Sequence, residues 1–530
     1  MIIKIDDKIY DYDDNEKDII WDKTGSQPTS KPDEFRLSKS KFCSGAQCPK
    51  MLWLKKYRPD LFDDSVINAA VIATGNDVGD LAMGLFGDYI EVPYDKDLSK
   101  MIEGTKELMN KGVENIAEAS FTYDGLFCSV DILKNKGDKH VEIYEVKCAT
   151  EVHEQYYPDV AFQNYVLKQL GYIVDRVCLV HINNQYVRHG DLDINQLFTI
   201  EDLTNDAEAL YSSVENSIKE LREYVKNPDE PDMVLGKYCF SPYECGFWDH
   251  CSECLPHPNV FNLMGMQKRT KLKCYNLGLI SYESLLAEGK IANDKAKQQI
   301  MHETYDMPDE IDRAAISAFL DKLTYPMYFL DFESFFPAIP RYDDSKPYQQ
   351  ICFQYSLHYI EEKGGELKHK EFLAYPGKDP RRELCESLCR DIPMDVCTLA
   401  YNKTFEQTRI KEMAAIFPDL EEHLMNIFDN MKDLMVPFRE RRFYCREMHG
   451  SYSIKYVLPA LFPNDPALDY HNLEGVHNGG EAADTFLRME KMTKDELERY
   501  RGYLLKYCGL DTFAMVKIWQ KLLEVTNRTC

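Results

Sequence analysis

The sequence of 530 residues has no long hydrophobic run and no internal repeat. None of its apolar stretches approaches the roughly 20 residues that a membrane-spanning helix needs. Its start, MIIKIDDKIYDYDDNEKD, has no basic segment followed by a long apolar one, which is the pattern of a secretory signal. These absences predict a soluble globular protein without membrane contact, and the cytoplasm is its expected compartment.

Basic residues are fewer than acidic ones. The chain has 63 lysines and arginines against 89 aspartates and glutamates, so its formal net charge is −26. The negative electrostatic field of such a chain argues against a protein that coats nucleic acid through its overall charge. It leaves open a nuclease, whose contacts with nucleic acid are local and whose catalytic carboxylates need metal ions.

The chain is too long for one hydrophobic core, and its pattern of apolar residues predicts an α/β protein of several domains. An acidic ribbon and linker are expected at 1–35, and a mixed α/β domain at 36–258. A helical connector follows at 259–320. The last domain, at 321–530, begins with three antiparallel strands, a helix and a further strand, and is then largely helical.

Two carboxylates leave a buried strand together in the segment MYFLDFESFFP, residues 327–337. Asp331 and Glu333 are two positions apart, and side chains in a strand repeat every second position, so both lie on one face. A strand that simply ends in solvent is one interpretation. A metal site is the other, and it requires further carboxylates from elsewhere in the chain.

Two later segments provide such groups. Asn402, Phe405 and Glu406 lie at a strand-to-helix junction, and Tyr507 and Asp511 share one helical face at i, i+4. With Asp331 and Glu333, they resemble in order the three motifs of the DEDD exonuclease superfamily, in its tyrosine-containing branch: Asp-x-Glu, Asn-x-x-Phe-Asp and Tyr-x3-Asp. The segment GSYSIKYVLPALFP (450–463) is similar to part of polymerase-type proofreading domains. Glu406 departs from the family, which usually has aspartate there.

This resemblance covers residues 321–530 and implies an RNase H-like fold. It also implies two divalent ions, Mg²⁺ or Mn²⁺, held by Asp331, Glu333, Glu406 and Asp511, while Tyr507 orients the attacking water. Oxygen ligands suit these hard ions. Two such ions neutralise charge on the attacking and leaving oxygens of a phosphodiester.

A second candidate site lies in FTYDGLFCSVDILKNKGDKHVEIYEVKCAT, residues 121–150. Asp131 ends one predicted strand, and Glu145 and Lys147 share a face at the end of the next. Charges on a solvated strand are the simpler interpretation. The pattern also resembles the Asp…Glu-x-Lys motif of PD-(D/E)XK nucleases, which have a restriction-endonuclease-like fold. RecB-like members place a glutamine on the following helix, here Gln163 on a helix expected to be amphipathic.

Seventeen cysteines are many for a reducing compartment, and a dense group at 239–254 suggests a metal or cluster site. Cys48 lies before the second candidate site and the dense group after it. The layout resembles iron–sulfur RecB-like nucleases and implies a 4Fe-4S cluster, with Zn²⁺ as the alternative. The predicted ligands are Cys48, Cys239, Cys245 and Cys251, and Cys254 and Cys43 are the alternatives.

One departure concerns the helix at 73–87. Relatives often carry a metal-binding histidine there, whereas this chain has Gly79 and Asp80. Asp80 is interpreted either as a contributor to the site or as a solvated helix residue. Without the histidine, the N-terminal RecB-like site is expected to be weakened or silent.

Taken together, the chain resembles bacterial fusions of two nucleases. The predicted function is metal-dependent hydrolysis of DNA phosphodiester bonds, with a two-metal 3′–5′ exonuclease site in the C-terminal domain and a RecB-like site in the N-terminal domain. DNA repair, recombination or defence against foreign DNA is the expected role. The alternatives are an RNA-processing exonuclease, an N-terminal domain that only binds nucleic acid, and a redox-responsive regulator.

Overall fold

The computed structural model describes residues 2–5, 8–11, 36–67, 69–289 and 293–528. The protein is mixed α/β, as predicted, and divides into two compact units. The N-terminal unit comprises Met1–Cys254 together with Pro337–Tyr348, and the C-terminal unit comprises Leu255–Phe336 and Gln349–Cys530. The linker predicted at the end of 1–35 lies outside the described residues. No described helix is both long enough and apolar enough to cross a bilayer.

The N-terminal unit contains nine strands and nine α-helices in its described part. The strands are β1 (Ile2–Ile5), β2 (Lys8–Asp11), β3 (Leu37–Ser38), β4 (Ile90–Glu91), β5 (Asn115–Tyr123), β6 (Leu126–Gly137), β7 (His140–Lys147), β8 (Ile173–Ile182) and β9 (Phe198–Asp202). The helices are α1 (Lys39–Gln47), α2 (Pro49–Tyr57), α3 (Ala69–Ala82), α4 (Leu98–Asn110), α5 (Tyr156–Gln169), α6 (Ile194–Leu197), α7 (Thr204–Ala209), α8 (Tyr211–Tyr224) and α9 (Trp248–Ser252).

The main sheet of this unit has the order β4-β5-β6-β7-β8-β9, and β3 pairs with β6. β5, β6 and β7 are antiparallel, whereas β7 and β8 are parallel, so the chain crosses over between them through α5. The prediction that α5 is amphipathic is wrong. Asp159–Leu167 is buried throughout, because the sheet covers one side of α5 and helices α1, α7 and α8 cover the other.

A segment from far along the chain completes the N-terminal unit. The sequence analysis assigns 337–348 to the last domain, but its contacts are with the first unit. Arg188 donates from Nη1 to the carbonyl oxygen of Pro340 at 3.0 Å, and Tyr348 donates its hydroxyl to the carbonyl oxygen of Cys148. Ala338 is buried in the core around β7 and β8. The first unit therefore needs this segment to complete its packing.

The C-terminal unit begins with the region predicted as a connector and contains seven strands and eleven α-helices in its described part. The strands are β10 (Glu310–Ile311), β11 (Met327–Phe335), β12 (Ile351–Ile360), β13 (Lys368–Leu373), β14 (Cys397–Ala400), β15 (Met431–Asp433) and β16 (Phe443–Tyr444). The helices are α10 (Lys268–Asn276), α11 (Tyr282–Ala287), α12 (Asp294–Tyr305), α13 (Arg313–Leu320), α14 (Arg381–Asp391), α15 (Thr404–Ile416), α16 (Glu421–Asn430), α17 (Val436–Arg439), α18 (Ile454–Leu461), α19 (Gly479–Arg488) and α20 (Lys494–Val525).

The main sheet here has the order β13-β12-β11-β14-β15. β11 is antiparallel to β12 and parallel to β14, so it lies at the centre. Its side chains alternate between two cores. Phe329 packs with Trp519 of α20 on one face, and Leu330 packs with Ile410 of α15 on the other. Asp331 and Glu333 lie two and four positions after Phe329 in the strand, so their side chains are on the same face as that of Phe329. Both carboxylates therefore leave the strand on the side of α20.

Candidate functional site

The acidic residues predicted for the C-terminal site come together from three elements. Asp331 and Glu333 extend from β11, Glu406 from the first turn of α15, and Asp511 from the middle of α20. Each of the other three carboxylates raises the pKa of Asp331, which shows that all four share one electrostatic environment.

The turn that delivers Glu406 is built by the residues after β14. Asn402 has a left-handed backbone, with φ of 67°, a conformation that asparagine adopts more readily than most residues. Asp433 Oδ1 at the end of β15 accepts hydrogen bonds from the backbone N–H groups of Asn402 and Met435, both at 3.0 Å. This anchor fixes the start of α15 and directs Glu406 inward.

Burial is the main electrostatic feature of this site. It raises the pKa of Asp331 and of Glu333 well above the ordinary range, with the neighbouring carboxylates adding to the effect. Burial also raises the pKa of Glu406 to about 8 and that of Asp511 to about 7. Four ionised carboxylates are therefore costly here at neutral pH unless a cation is present.

No basic side chain in the described chain forms an ion pair with these four residues. Lys455 acts on Asp511 only electrostatically, and it lowers the pKa of that carboxyl. Glu406 Oε2 is buried and has no hydrogen-bond partner. The site thus holds one buried carboxylate oxygen, Glu406 Oε2, that the protein itself leaves unsatisfied.

Two tyrosines contact Asp511. Tyr507, which the sequence analysis identified, is buried one helical turn away on α20, and its ring lies 5.9 Å from that of Tyr470. Tyr470 donates its hydroxyl to Asp511 Oδ1 at 2.6 Å. Burial and the charge of Asp511 raise the pKa of both tyrosines above the ordinary value, so both remain O–H donors. Tyr470 begins a short 3-10 turn, Tyr470–Asn472, that offers no sequence signal.

A buried thiol adjoins the carboxylates of β11. The sulfur of Cys508 and one carboxylate oxygen each of Asp331 and Glu333 all lie within 4.8 Å of one another. Burial, helped by the three nearest carboxylates, raises the pKa of Cys508 well above its ordinary value. Cys508 is therefore a neutral neighbour of the site, and the sequence analysis did not identify it.

The residues predicted for the N-terminal site also lie close together. β6 carries Asp131, β7 carries Glu145 and Lys147, and α5 carries Gln163. Asp131 Oδ2 accepts a hydrogen bond from the backbone N–H of Val146 at 2.7 Å. Lys147 donates to Glu145 Oε1, and Gln163 donates to Glu145 Oε2, both at 2.7 Å.

Two further residues of this site were not predicted from the sequence. Asp159 on α5, one turn before Gln163, pairs with Lys147 at 2.7 Å. Lys39, the first residue of α1, pairs with Glu145 at 2.9 Å and with Asp159 at 3.4 Å. The spacing of Asp159 and Gln163 at i, i+4 was a usable signal, whereas nothing local marked Lys39.

The charges of this site largely compensate one another. Burial, with Asp131 and Asp159, raises the pKa of Glu145 to about 7. Burial also acts to raise the pKa of Asp159, but Lys147 and Lys39 outweigh it and hold that pKa well below the ordinary range. Asp80 is exposed on α3 and forms no ion pair with the site in the described structure. This agrees with its interpretation as a solvated helix residue.

The four cysteines predicted as ligands line one cavity. Cys48 lies between α1 and α2, Cys239 ends a 3-10 turn, Cys245 follows in a loop and Cys251 lies on α9. The cavity encloses about 380 Å³, including the part open to solvent, and its other walls are largely apolar: Met51, Leu54, Met233, Val234, Leu235, Tyr238, Phe247 and Trp248, with Lys50 beside them.

Burial raises the pKa of each of the four thiols, and Cys245 experiences the charge of the other three. The backbone N–H of Gly236 donates to Cys239 Sγ at 3.5 Å. The two alternative ligands lie elsewhere. Cys254 is exposed, and the pKa of Cys43 is raised by burial and by Asp159 of the acidic site.

Comparison with known proteins gives relatives whose activities are not described. A domain of unknown function (DUF2779) matches residues 328–453, which include Asp331, Glu333 and Glu406 but neither Tyr507 nor Asp511. An uncharacterized protein of Ureaplasma parvum serovar 3 is 26% identical over 228 residues, which is 39% of this chain and 33% of the relative. An uncharacterized protein of Mycoplasma genitalium is 26% identical over 215 residues, 37% of this chain and 32% of the relative. The chain thus matches about a third of the length of these relatives.

Proposed function

We propose that the C-terminal unit is a metal-dependent exonuclease that removes nucleotides from the 3′ end of DNA. One observation carries the proposal: four carboxylates, two buried and two half-buried, converge with no lysine or arginine ion-paired to them in the described chain, beside a buried tyrosine. A packed interior does not tolerate such a cluster for stability alone, because uncompensated buried charge is destabilising.

The fold of this unit supports the proposal. Three antiparallel strands are followed by α14 and by β14, which pairs in parallel with β11. This is the strand order expected of an RNase H-like domain. It brings Glu333 of β11, Glu406 of α15 and Asp511 of α20 near enough to Asp331 that each raises its pKa, as the resemblance to DEDD exonucleases requires.

The donor set fits Mg²⁺ or Mn²⁺. All four predicted ligands offer oxygen atoms, which hard divalent ions prefer, and Glu406 Oε2 has no partner within the protein. Asp331, Glu333, Glu406 and Asp511 would hold the ions. When bound, two divalent ions neutralise the charge that develops on the attacking and leaving oxygens.

The tyrosines have distinct parts in this proposal. Tyr507 keeps its proton, because burial and Asp511 raise its pKa, so its hydroxyl can hold and orient a water molecule by hydrogen bonding. Tyr470 acts through another residue. Its 2.6 Å hydrogen bond to Oδ1 fixes the rotamer of Asp511.

The N-terminal unit is proposed to be a RecB-like PD-(D/E)XK domain. Its antiparallel β6 and β7, followed by α5 and the parallel strand β8, bring Asp131, Glu145, Lys147 and Gln163 to one place, as that resemblance requires. DNA repair, recombination or defence against foreign DNA is the proposed role of the two units together.

The cysteines are proposed to hold a 4Fe-4S cluster. A tetrahedral zinc site places its sulfurs about 3.8 Å apart, given a Zn–S distance of about 2.3 Å. The described groups of three potential ligand atoms within 4.8 Å of one another do not include these cysteines. The absence of such a close group at these cysteines in the described chain, together with the apolar cavity that they line, favours a cluster over one zinc ion. Since Cys48 precedes the central sheet and the other ligands follow it, the cluster would also tie the two ends of the unit together.

The test uses purified full-length protein and DNA or RNA oligonucleotides, single- and double-stranded, labelled at either end. With Mn²⁺ or Mg²⁺, stepwise shortening of 5′-labelled DNA is expected, and EDTA should stop it. Asp331→Asn should remove this activity, whereas Asp321→Asn, which changes an exposed aspartate paired with Arg528, should not. Shortening that persists in Asp331→Asn would refute the assignment, and degradation of RNA alone would refute DNA as the substrate.

A further inference from the structure

Lys39 has an unusual place in the N-terminal site. It is the first residue of α1, directly after the capping residue Ser38. A cation at this end of a helix is disfavoured by the helix dipole. Its side chain is nevertheless mostly buried, with 20% exposure, because it extends into the acidic cluster. The cluster therefore compensates an otherwise unfavourable position.

The hydrogen bonds of Glu145 are nearly complete without any outside group. Oε1 accepts from Lys39 at 2.9 Å and from Lys147 at 2.7 Å. Oε2 accepts from Lys39 at 3.0 Å and from Gln163 at 2.7 Å. A carboxylate oxygen has two lone pairs, so the protein itself provides a donor for each of the four.

Asp159 is occupied in a similar way. Its Oδ2 accepts from Lys147 at 2.7 Å, and its Oδ1 accepts from Gln163 at 3.2 Å and lies 3.4 Å from Lys39. With Asp131, three carboxylates face two ammonium groups. A divalent cation that binds Glu145 must therefore displace Lys39 or Lys147 from it.

Resting on the proposed RecB-like nature of this unit, we propose that Lys39 is a built-in cation that competes with divalent metal for Glu145 and so determines the metal affinity of the N-terminal site. Lys147 belongs to the Glu-x-Lys motif, whereas Lys39 comes from a different element and stands outside that motif. The ligand class of the site is a divalent cation, and of the two lysines on Glu145 it is Lys39 whose ammonium group leaves when the cation binds.

The experiment titrates Mn²⁺ alone into full-length protein and follows free Mn²⁺ by electron paramagnetic resonance. All variants carry Asp331→Asn and Asp511→Asn, which disable the C-terminal site. Relative to this background, Lys39→Met should tighten Mn²⁺ binding by about tenfold or more, because it removes a positive charge a few Å from the ion. Adding Glu145→Gln to Lys39→Met should abolish that gain.

Two further variants separate this effect from general ones. Lys100→Met removes a lysine from an exposed ion pair with Asp95 and should leave Mn²⁺ binding unchanged. Lys39→Arg keeps a cation in place and should retain the weak binding of the background, so it tests the idea even if Lys39→Met fails to fold. Circular dichroism reports folding for each variant.

The proposal is overturned if Lys39→Met leaves the Mn²⁺ affinity unchanged or weaker, or if Lys39→Arg binds Mn²⁺ as tightly as Lys39→Met is expected to. It is also overturned if the gain in Lys39→Met survives Glu145→Gln. These outcomes are distinct from failure of the exonuclease proposal, which appears as end-shortening that persists in Asp331→Asn with Lys39 intact.

Discussion

The two acidic clusters differ in how their negative charge is balanced. In the N-terminal unit, Lys39 and Lys147 contact Glu145 and Asp159 directly, so the protein provides its own cations. In the C-terminal unit, the only described donors that contact Asp511 are phenolic hydroxyls, and Glu406 retains an unpartnered oxygen. The first cluster sets three carboxylates against two lysines, whereas no lysine or arginine in the described chain forms an ion pair with the second.

This difference shows that a strand and a helix can build two carboxylate clusters that respond in opposite ways to the loss of one charged group. Both clusters place carboxylates at the end of a central strand and on a helix packed against it. A buried ion pair that is complete resists the removal of either partner, whereas a cluster of like charges is relieved by the removal of one. Substitutions should therefore act in opposite directions on the stability of the two units.

The largest expected effect is on activity. Asp331→Ala or Asp511→Ala should reduce end-shortening by about a thousandfold or more, because each removes an oxygen ligand for the proposed ions. Lys147→Ala should keep the activity, since Lys147 belongs to the other unit. The measurement is kcat/KM on a 5′-labelled oligonucleotide. Loss of all activity in Lys147→Ala would show that the two sites are coupled.

The second prediction compares isosteric substitutions in the two clusters. Glu145→Gln should destabilise the N-terminal unit by about 3 kcal/mol, because it leaves two buried lysines to share Asp159 as their remaining ion-pair partner. Glu333→Gln should leave the C-terminal unit as stable or more stable in EDTA, because it relieves like-charge repulsion. Urea unfolding with hydrogen exchange of each unit distinguishes the two. Equal destabilisation by both substitutions would remove the contrast between the clusters.

The third prediction concerns the cysteine cavity. Protein purified without oxygen should be brown and contain iron. Cys48→Ser should lower both its iron content and its stability by about 2 kcal/mol or more, because a thiolate joining distant parts of the unit is lost. Cys254→Ser, which changes an exposed cysteine outside the cavity, is the matched control. Colourless protein with one zinc per chain would contradict the iron–sulfur cluster. It would still agree with a metal that links Cys48 to the cysteines after the central sheet.

The fourth prediction is the pH dependence of stability in EDTA. The pKa of Asp511 is about 7 in the folded protein, against 3.8 ordinarily, so the folded state binds its proton more tightly. The stabilisation is fully present below about pH 4 and is lost as the pH rises through 7, by up to about 1.4 kcal/mol per pH unit. Asp511→Asn should flatten this decline in thermal midpoint, and Mg²⁺ should do the same in the wild type. If the thermal midpoint of Asp511→Asn falls with pH as steeply as that of the wild type, the raised pKa of Asp511 is contradicted.

The smallest effect is expected for Tyr470→Phe. Loss of one hydrogen bond to Asp511 should lower kcat about tenfold, corresponding to about 1.4 kcal/mol, with little change in KM. Tyr456→Phe, at a half-exposed tyrosine of α18, is the control. An equal loss in both variants would show that Tyr470 has no special part in positioning Asp511.

Local patterns predicted much of what the structure contains. The strands around Asp331, Glu333 and Glu145 follow from runs of apolar residues, and the side-chain alternation of a strand places each pair on one face. Gln163 lies on the helix after β7, and there it donates a hydrogen bond to Glu145 at 2.7 Å. These residues belong to short motifs on regular elements, which is why a single sequence reveals them.

The remaining features depend on contacts that no local pattern records. Lys39 reaches Glu145 across 106 positions of sequence, and Tyr470 reaches Asp511 across 41. The burial of α5 on both sides depends on helices distant in sequence: α1 lies far before it, and α7 and α8 follow it. The segment 337–348 has no helical or strand period, so its packing in the N-terminal unit could not be predicted from sequence.

The most direct test of this account counts bound Mn²⁺ in full-length protein at neutral pH by electron paramagnetic resonance. The comparison between the clusters predicts that Asp331→Asn loses the tightly bound ions of the wild type, whereas Glu145→Gln retains them. Loss of tightly bound Mn²⁺ in Glu145→Gln, with no loss in Asp331→Asn, would contradict the assignment of the metal centre to the C-terminal unit.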